Sequence, residues 1–297
     1  MTQIKSGRPR APSHLALAAV ALALSWSPAD AASILFVGNS FTYGAHAPVW
    51  KYRSNSVTDL NGDGVGGVPA LFKLFTQEIG LDYAVSLETV GGKDLRFHLE
   101  NKAALIDRPW DHVILQSYST LDADKPGDAT GLIRDSAVLA KMFHDKNPQA
   151  DVRLMATWSR ADLTYPASAH WHGQPIEAMA QDVRAGYDRA AANSPLINSV
   201  IPVGQAWNRA FASGFADPNP YDGISAGQVD LWAYDNYHAS TYGYYLEALV
   251  VFGAVTGRDP RSLGPGETAA SELGVSPAQA SAMQQIAQDE LEARPKP

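Results

Sequence analysis

The sequence predicts an α/β fold, a three-layer α/β/α sandwich around a parallel sheet of five strands. Short apolar segments alternate with longer amphipathic ones, and no repeat of solenoid or propeller length is present. The apolar segments are rich in β-branched residues and are bounded by turn residues. Strand–helix alternation of this kind produces a parallel sheet with helices on both faces. The 297 residues are enough for one sizeable domain or two small ones.

Five segments are predicted as strands because their apolar runs are short and end at turn residues. They are ILFVG (34–38), YAVSLETV (83–90), HVILQSY (112–118), VRLMATW (152–158) and NSVIPVG (198–204). Four of the five are nearly continuous apolar runs, as expected for strands that helices cover on both faces.

Five further segments are predicted as amphipathic helices from their periodicity and their capping residues. They span residues 68–79, 130–146, 175–193, 241–256 and 277–293. Pro69 near the start of the first segment and Gly80 after its end are typical helix punctuation. Ser240 is a suitable N-cap for the fourth helix, which Gly257 ends.

The first 31 residues have the pattern of a secretory signal peptide. Basic residues precede the apolar run LALAAVALALSW, and the small residues of ADA (29–31) follow it as a cleavage site. The run is shorter than the ~20 apolar residues that span a bilayer, so we expect no stable membrane insertion. We expect a secreted or periplasmic protein with one domain over 32–263 and a C-terminal helical extension over 264–297.

The composition excludes several classes of protein. The chain has no cysteine, which rules out disulfides, cysteine nucleophiles and thiolate metal sites. Its formal net charge is −8 and no basic patch stands out, so nucleic acid is not an expected partner. The sequence leaves the oligomeric state open.

A serine directly follows the first predicted strand. The carboxyl ends of parallel strands form the edge at which ligands bind, and Ser40 lies on that edge. Ser40 is either a nucleophile or the cap of the next helix. A nucleophilic serine needs a histidine base, an acid that orients it, and donors for the oxyanion. His238 and Asp235, in AYDNYHAS before the 241–256 helix, can supply the first two, and His46 lies in a loop that could reach the site.

Two short blocks resemble those of the SGNH (GDSL-like) hydrolase superfamily. GNS at 38–40 followed by FT is similar to the first block in its Gly-Asn-Ser-Phe variant, and DNYH at 235–238 is similar to the last. The resemblance implies a flavodoxin-like SGNH hydrolase fold with Ser40 as nucleophile, His238 as base and Asp235 as its orienter. It implies a serine esterase that forms an acyl-enzyme and needs no cofactor.

The same resemblance implies an oxyanion hole formed by the Ser40 amide, a glycine and a third donor. VGGKDL (90–95) stands where the family has its oxyanion glycine, and Gly92 is preferred over Gly91, although both could simply form a turn. The family has Gly-x-Asn-Asp in its third block, whereas this chain has ILQSYS. Gln116 offers a side-chain amide there, similar to the Gln variant of related sugar-acetyl esterases.

Aromatic residues cluster in segments expected near Ser40. We predict that Tyr43, Trp158 and Trp171 contact the substrate, with Trp50 and Tyr165 in the same rim. The segment 159–174 is a long loop, and such loops tend to be functional. An aromatic rim favours a carbohydrate ester, with acetyl or another short acyl group, although loop aromatics also simply pack. The alternatives are a lipase or lysophospholipase on the same triad and a non-catalytic SGNH-like binding protein.

One segment resembles a calcium-binding loop. DLNGDG (59–64) matches the opening of an EF-hand, with Asp59, Asn61 and Asp63 at alternate positions. The twelfth position, where a bidentate glutamate is needed, is Ala70. A polar turn that leads into the next helix is the alternative, and no metal site is predicted.

Overall fold

The computed structural model describes residues 1–3, 7 and 31–293. Its strands are β1 (Ala32–Gly38), β2 (Thr58–Asp59), β3 (Tyr83–Thr89), β4 (His112–Leu115), β5 (Asp151–Ala156) and β6 (Ser199–Pro202). They pair in the order β2-β3-β1-β4-β5-β6, and every pair is parallel. The predicted α/β fold is confirmed, but the described residues form six strands rather than five. The additional strand, β2, is a two-residue edge pairing.

The helices follow the strands in alternation. They are α1 (Ser40–Tyr43), α2 (Gly67–Glu78), α3 (Leu95–Asn101), α4 (Ala103–Ile106), α5 (Thr130–Lys146), α6 (Glu177–Asn193), α7 (Val203–Ala212), α8 (Thr241–Thr256), α9 (Thr268–Glu272) and α10 (Pro277–Glu292). The predicted bounds of α5 and α8 agree with the structure. The sequence does not predict α7, because the chain turns from β6 into a helix at Pro202 with no polar linker.

Alternate residues of β1 explain why this strand is apolar throughout. Ile34 and Phe36 belong to one core cluster, which includes residues of α2, α7, α8 and α10. Leu35 and Val37 belong to the other, which includes residues of α5 and α6. All four side chains are almost fully buried. Both faces of the central strand are therefore covered, as the three-layer arrangement requires.

Residues 31–293 belong to one compact unit. The C-terminal helix α10 packs against α7 and α8, with Met283, Ile286 and Ala287 on its buried face. Apart from residues 1–3, 7 and 31, the predicted signal peptide lies outside the described residues. Among the residues that are described, no helix is both long and apolar enough to cross a membrane.

Candidate active site

Asn39 shapes the turn that presents Ser40. Its side-chain oxygen accepts a hydrogen bond from the Phe41 N–H at 3.1 Å, which caps the one-turn helix α1. Its side-chain nitrogen donates to the carbonyl oxygens of Lys93 (2.9 Å) and Ser117 (3.2 Å). These two residues lie in the loops after β3 and β4. One buried amide thus joins the nucleophile turn to the two neighbouring loops at the carboxyl edge of the sheet.

Gly38 allows this turn to approach its neighbours closely. A Cβ atom at this position would lie 2.4 Å from Oγ1 of Thr42 and 2.8 Å from Oε1 of Gln116. Real Cβ contacts are not this short, so a larger residue would displace one of the two side chains. The glycine of the Gly-Asn-Ser block is therefore required by the packing behind Ser40.

Gln116 is fully buried and holds the nucleophile turn. Its Oε1 accepts hydrogen bonds from the Asn39 N–H at 2.9 Å and from the Thr42 hydroxyl at 3.1 Å. Its Nε2 donates to the Ser117 carbonyl. A flipped amide would set Nε2 against the Asn39 N–H, donor against donor, so this orientation is the favourable one. The expectation that Gln116 donates to an oxyanion is therefore not met, since its side chain is fully buried and its amide bonds to Asn39, Thr42 and Ser117.

Asp235 and His238 are joined by hydrogen bonds within a single turn. Oδ2 of Asp235 lies 2.6 Å from Nδ1 of His238, and Oδ1 accepts the backbone N–H groups of Tyr237 (3.2 Å) and His238 (3.0 Å). Asn236 has φ of +55°, a left-handed conformation that asparagine tolerates well. This turn allows the carboxylate to reach back to the imidazole, and it leaves Nε2 of His238 as the nitrogen available to a substrate or nucleophile.

Trp158 and the segment 159–174 that follows it contact the loop that carries Asp235 and His238. The indole N–H of Trp158 donates to the Tyr237 carbonyl oxygen at 3.2 Å. The Asp162 N–H donates to the Asn236 carbonyl oxygen at 3.1 Å. Both bonds fix the backbone between the acid and the base.

The first helical turn and the histidine loop meet around Phe41 and Tyr244. The Phe41 ring lies 5.7 Å from the His238 ring, centroid to centroid. The Tyr244 hydroxyl, from α8, lies 3.1 Å from the carbonyl oxygens of both Ser40 and Ala45. The structure thus brings the two sequence blocks together, although within the described residues the Ser40 hydroxyl shows no hydrogen bond to His238.

The pKa values of the acid and the base are both shifted downwards. Burial lowers the pKa of His238 below its ordinary 6.5, and the hydrogen bond that its Nδ1–H donates to Asp235 opposes this shift only in part. Burial would raise the pKa of Asp235, but its hydrogen bonds from His238 and from the backbone N–H groups outweigh it, so the pKa lies below the ordinary value. At neutral pH the pair is therefore a neutral imidazole beside a carboxylate, the state that a general base requires.

Backbone N–H groups remain as candidate oxyanion donors. Gly92 occupies the third position of the turn from Val90 to Lys93, with φ of +69°. Within the part of the chain that the structure describes, the N–H groups of Ser40 and Gly92 show no acceptor. Asn39 ties the two segments together through the Lys93 carbonyl oxygen.

Two of the three predicted substrate-contacting aromatics lie in the core. Trp158 is fully buried, stacked between Phe41 at 4.2 Å and Trp207 at 4.6 Å. Trp171 is also buried, and its indole N–H donates to Asp182. The prediction that they contact substrate is wrong, because both side chains turn inward from their loop.

Tyr43 and Trp50 do face solvent-accessible space. They line a cavity of about 540 Å³ beside the nucleophile turn. Trp50 is 44% exposed, and its ring centroid lies 5.9 Å from that of Tyr43. Tyr165, the other member of the predicted rim, does not line this cavity, and its hydroxyl donates to the Pro218 carbonyl oxygen.

His46 lies against the acid–base pair. Its ring centroid is 4.6 Å from that of His238, and its Nε2 is 3.7 Å from Oδ2 of Asp235. Its Nδ1 lies 2.7 Å from the Tyr234 hydroxyl, and its φ of +64° is a left-handed conformation that few non-glycine residues adopt. His46, Asp235 and His238 each offer one ligand atom within 4.8 Å of the others, so they could hold a metal ion.

The segment 59–64 has the contacts of a polar turn. The carboxylate of Asp59 accepts the N–H groups of Asn61 (3.0 Å) and Val65 (3.1 Å). The Lys51 ammonium donates to the Asp63 carbonyl oxygen at 2.8 Å. The Asp59 oxygens thus close the turn, and a lysine cation lies at its other side.

Solved structures share this fold. A DUF4886 family protein from Bacteroides uniformis is 18% identical, with a TM-score of 0.61 over 89% of this chain and 96% of that one. A GDSL-like protein from Parabacteroides merdae is 18% identical, with a TM-score of 0.51 over 76% of this chain and 95% of that one. No protein-family model and no curated protein matches the sequence. The chain has the SGNH (GDSL-like) hydrolase fold that its two short blocks predict.

Proposed function

We propose that this protein is a serine esterase that hydrolyses acetyl or other short acyl esters. The observation that carries the proposal is the 2.6 Å hydrogen bond between Asp235 and Nδ1 of His238. It orients an imidazole that packs against Phe41, the residue next to Ser40, at the carboxyl end of β1. The lowered pKa of His238 keeps the base unprotonated at neutral pH.

The reaction follows from these groups. Nε2 of His238 takes the hydroxyl proton of Ser40 as its oxygen attacks the ester carbonyl carbon. The tetrahedral intermediate collapses, His238 returns the proton to the leaving alcohol oxygen, and an acyl-enzyme remains. A water molecule, deprotonated by His238, then releases the acid and restores the Ser40 hydroxyl. Asp235 holds the imidazole in the required tautomer throughout.

The backbone N–H groups of Ser40 and Gly92 would bind the oxyanion in this reaction. Backbone donors fixed in advance cost no reorganisation when negative charge develops on the carbonyl oxygen. Gln116 contributes indirectly, since it accepts the Asn39 N–H and so sets the conformation of the turn that presents the Ser40 N–H.

The substrate we propose is an ester on a carbohydrate. The cavity beside the nucleophile turn is lined by Tyr43 and Trp50 and by polar residues, with Val65 and Val90 as its only aliphatic side chains among the described residues. This lining favours a saccharide over a long acyl chain. The Parabacteroides merdae protein carries the name of a GDSL-like lipase, so comparing p-nitrophenyl acetate with p-nitrophenyl palmitate tests the choice. A lipase would prefer the palmitate.

Serine dependence is the direct test of the esterase proposal. The wild type should hydrolyse p-nitrophenyl acetate, and a serine-directed phosphonate should label Ser40. Ser40→Ala should abolish both, whereas the matched control Ser213→Ala, at an exposed serine after α7, should change neither. Hydrolysis that survives Ser40→Ala would rule the proposal out.

Export is part of the proposal. The basic and apolar pattern of residues 1–31 supports a cleaved secretory signal. Expressed in a bacterium with its own N-terminus, the protein should be found outside the cytoplasm, and mass spectrometry should give a chain that begins near Ala32. Uncleaved protein in the cytoplasm would contradict this.

A further inference from the structure

The cavity lined by Tyr43 and Trp50 adjoins the nucleophile turn. Tyr43 is the last residue of α1, which begins at Ser40. Its hydroxyl oxygen is 2.9 Å from the position that a Cβ on Gly91 would occupy, so Tyr43 touches the turn that carries Gly92. The volume of about 540 Å³ falls in the range of small-molecule sites. The cavity wall therefore includes Tyr43, at the end of the helix that begins at Ser40, and Gly91, which precedes Gly92.

One side of the cavity is aromatic. Trp50 is 44% exposed, and its ring is tilted by 34° from that of Tyr43. The Lys51 ammonium lies 4.8 Å from the Trp50 ring centroid, which fixes a cation beside the indole. The electron-rich ring faces attract polarised C–H groups, which a pyranose ring presents on its flat side.

Two polar side chains of the cavity wall, Asn61 and Lys102, are held by a hydrogen-bond network. The Lys102 ammonium donates to Oδ1 of Asn61 at 2.8 Å. Nδ2 of Asn61 in turn donates to Oε1 of the buried Glu88 and to the Thr89 carbonyl oxygen, both at 3.1 Å. This network fixes both side chains in the cavity wall, while the Lys102 ammonium keeps protons that Asn61 does not use.

The charges in the wall indicate what kind of ligand fits. Lys102 and Asp63 both line the cavity. In residues 31–293, no carboxylate lies within ion-pair distance of the Lys102 ammonium. A hydroxyl group both donates and accepts hydrogen bonds, so neighbouring hydroxyls can pair with a lysine and an aspartate together. An anionic ligand would meet the Asp63 carboxylate, and a cationic ligand would meet the ammonium groups of Lys102 and, beside Trp50, of Lys51.

We propose that this cavity is the subsite for a neutral pyranose ring of the ester substrate. The ring stacks on Trp50 and Tyr43, and its hydroxyls hydrogen-bond to Lys102, Asn61 and Asp63. This assignment rests on the proposed esterase function. It identifies the sugar ring as the part of the substrate that the cavity binds.

The first test compares two substrates. Trp50→Ala and Lys102→Met should lower kcat/KM on partially O-acetylated neutral xylo- and manno-oligosaccharides at least tenfold more than on p-nitrophenyl acetate, mainly through KM. The matched controls Tyr221→Ala, an exposed aromatic elsewhere, and Lys141→Met, on α5, should show no such difference. Equal losses on both substrates would overturn the subsite, as would a wild type that hydrolyses p-nitrophenyl acetate but none of the saccharide esters.

The second test separates the subsite from the reaction. Calorimetry of Ser40→Ala with the same acetylated oligosaccharides should show binding that Trp50→Ala or Lys102→Met, added to it, weakens at least tenfold. Thermal unfolding of each variant checks that the fold is kept. If the wild type hydrolyses no ester but this pattern of binding is found, the esterase proposal fails and the subsite stands. Binding that neither substitution weakens, or no binding at all, overturns the subsite.

Discussion

Gln116 holds the nucleophile turn through one buried oxygen. Without it, the buried N–H of Asn39 loses its acceptor, and an unsatisfied buried donor costs about 1–3 kcal/mol. We therefore expect Gln116→Ala to lower the free energy of unfolding by about that amount and to lower kcat as well. Denaturant unfolding and steady-state kinetics on p-nitrophenyl acetate measure the two effects.

A matched substitution separates this role from that of an oxyanion donor. Gln285 lies exposed on α10, so Gln285→Ala should change neither stability nor rate. A true oxyanion donor would cost about 100- to 1000-fold in kcat. If Gln116→Ala shows that loss at unchanged stability, the positioning role is wrong.

His238 should set the acid limb of the pH–rate profile. Its pKa is lowered below 6.5, chiefly by burial, so the base stays neutral in mildly acidic solution. The midpoint of the acid limb of kcat/KM for the wild type should therefore lie below pH 6.5. A plot of log kcat/KM against pH whose acid-limb midpoint lies at or above 6.5 would contradict this assignment.

Substitution of His46 should shift the acid limb of the pH–rate profile. The charged or ionisable neighbours of His238 are Asp235, which raises its pKa, and His46 and Arg160, which lower it. His46→Asn removes one lowering contribution and keeps a residue that tolerates positive φ. The acid limb of kcat/KM should move to higher pH. The control His172→Asn, at an exposed histidine, should leave the limb in place, and an unmoved limb in His46→Asn would show that His46 has no such effect.

At the scale of elements, local signals predicted some parts well and others not at all. Ser240 and Gly257 bound α8 as expected, because caps act within one turn of the chain. The two-residue strand β2 depends on its pairing with β3, which no local pattern carries. Helix α7 begins directly after the last residue of β6, so no turn residue in the sequence separates the helix from the strand.

The candidate site likewise has some parts that local sequence predicts and others that it does not. Asp235 and His238 are three residues apart, and their hydrogen bond forms within one turn, so a short block predicts it. Whether an aromatic residue of a loop faces solvent or the core depends on distant packing. Trp158 stacks on Trp207 and is buried for that reason, whereas Trp50 stays exposed. The role of Gln116 was missed because its partner, the Asn39 N–H, lies on another strand's turn.

Glu247 is a buried carboxyl on α8 that works against stability. Among the described residues neither of its oxygens has a hydrogen-bond partner, and burial raises its pKa well above 4.5. The native state keeps the proton at pH values where the unfolded chain releases it, so stability falls as pH rises above 4.5. While the native state keeps the proton, the free energy of unfolding falls by about 1.4 kcal/mol per pH unit. Glu247→Gln removes this dependence and should raise Tm at pH 7.

The pH dependence provides the control for that prediction. Below pH 4.5 the carboxyl is protonated in both states, so Glu247→Gln and the wild type should have the same pH dependence there. Thermal unfolding from pH 4 to pH 8 should therefore show a gap in Tm that widens as pH rises. A gap that is constant over this range would mean that the glutamine acts through packing instead.

At the scale of the whole molecule, α8 connects the candidate site to the C-terminus. It begins three residues after His238, and its Tyr244 contacts the Ser40 carbonyl oxygen. At its other end, a Cβ on Gly253 would lie 2.3 Å from the Leu291 side chain of α10, so the two helices approach very closely. Helix α8 therefore contacts both the candidate site and α10, the last described helix.

This connection predicts that residues 264–297 are needed for both folding and activity. A chain of residues 32–263 would expose the part of the core that Met283, Ile286 and Ala287 cover, and it would release α8 on the side away from Ser40. A single buried Met→Ala change costs about 2–5 kcal/mol, and a domain has only about 5–15 kcal/mol in total. Residues 32–297 should unfold cooperatively and hydrolyse p-nitrophenyl acetate, and residues 32–263 should do neither. Met283→Ala should lower Tm yet keep the rate well below Tm, and a fully active chain that ends at Leu263 would show that the site does not depend on α10.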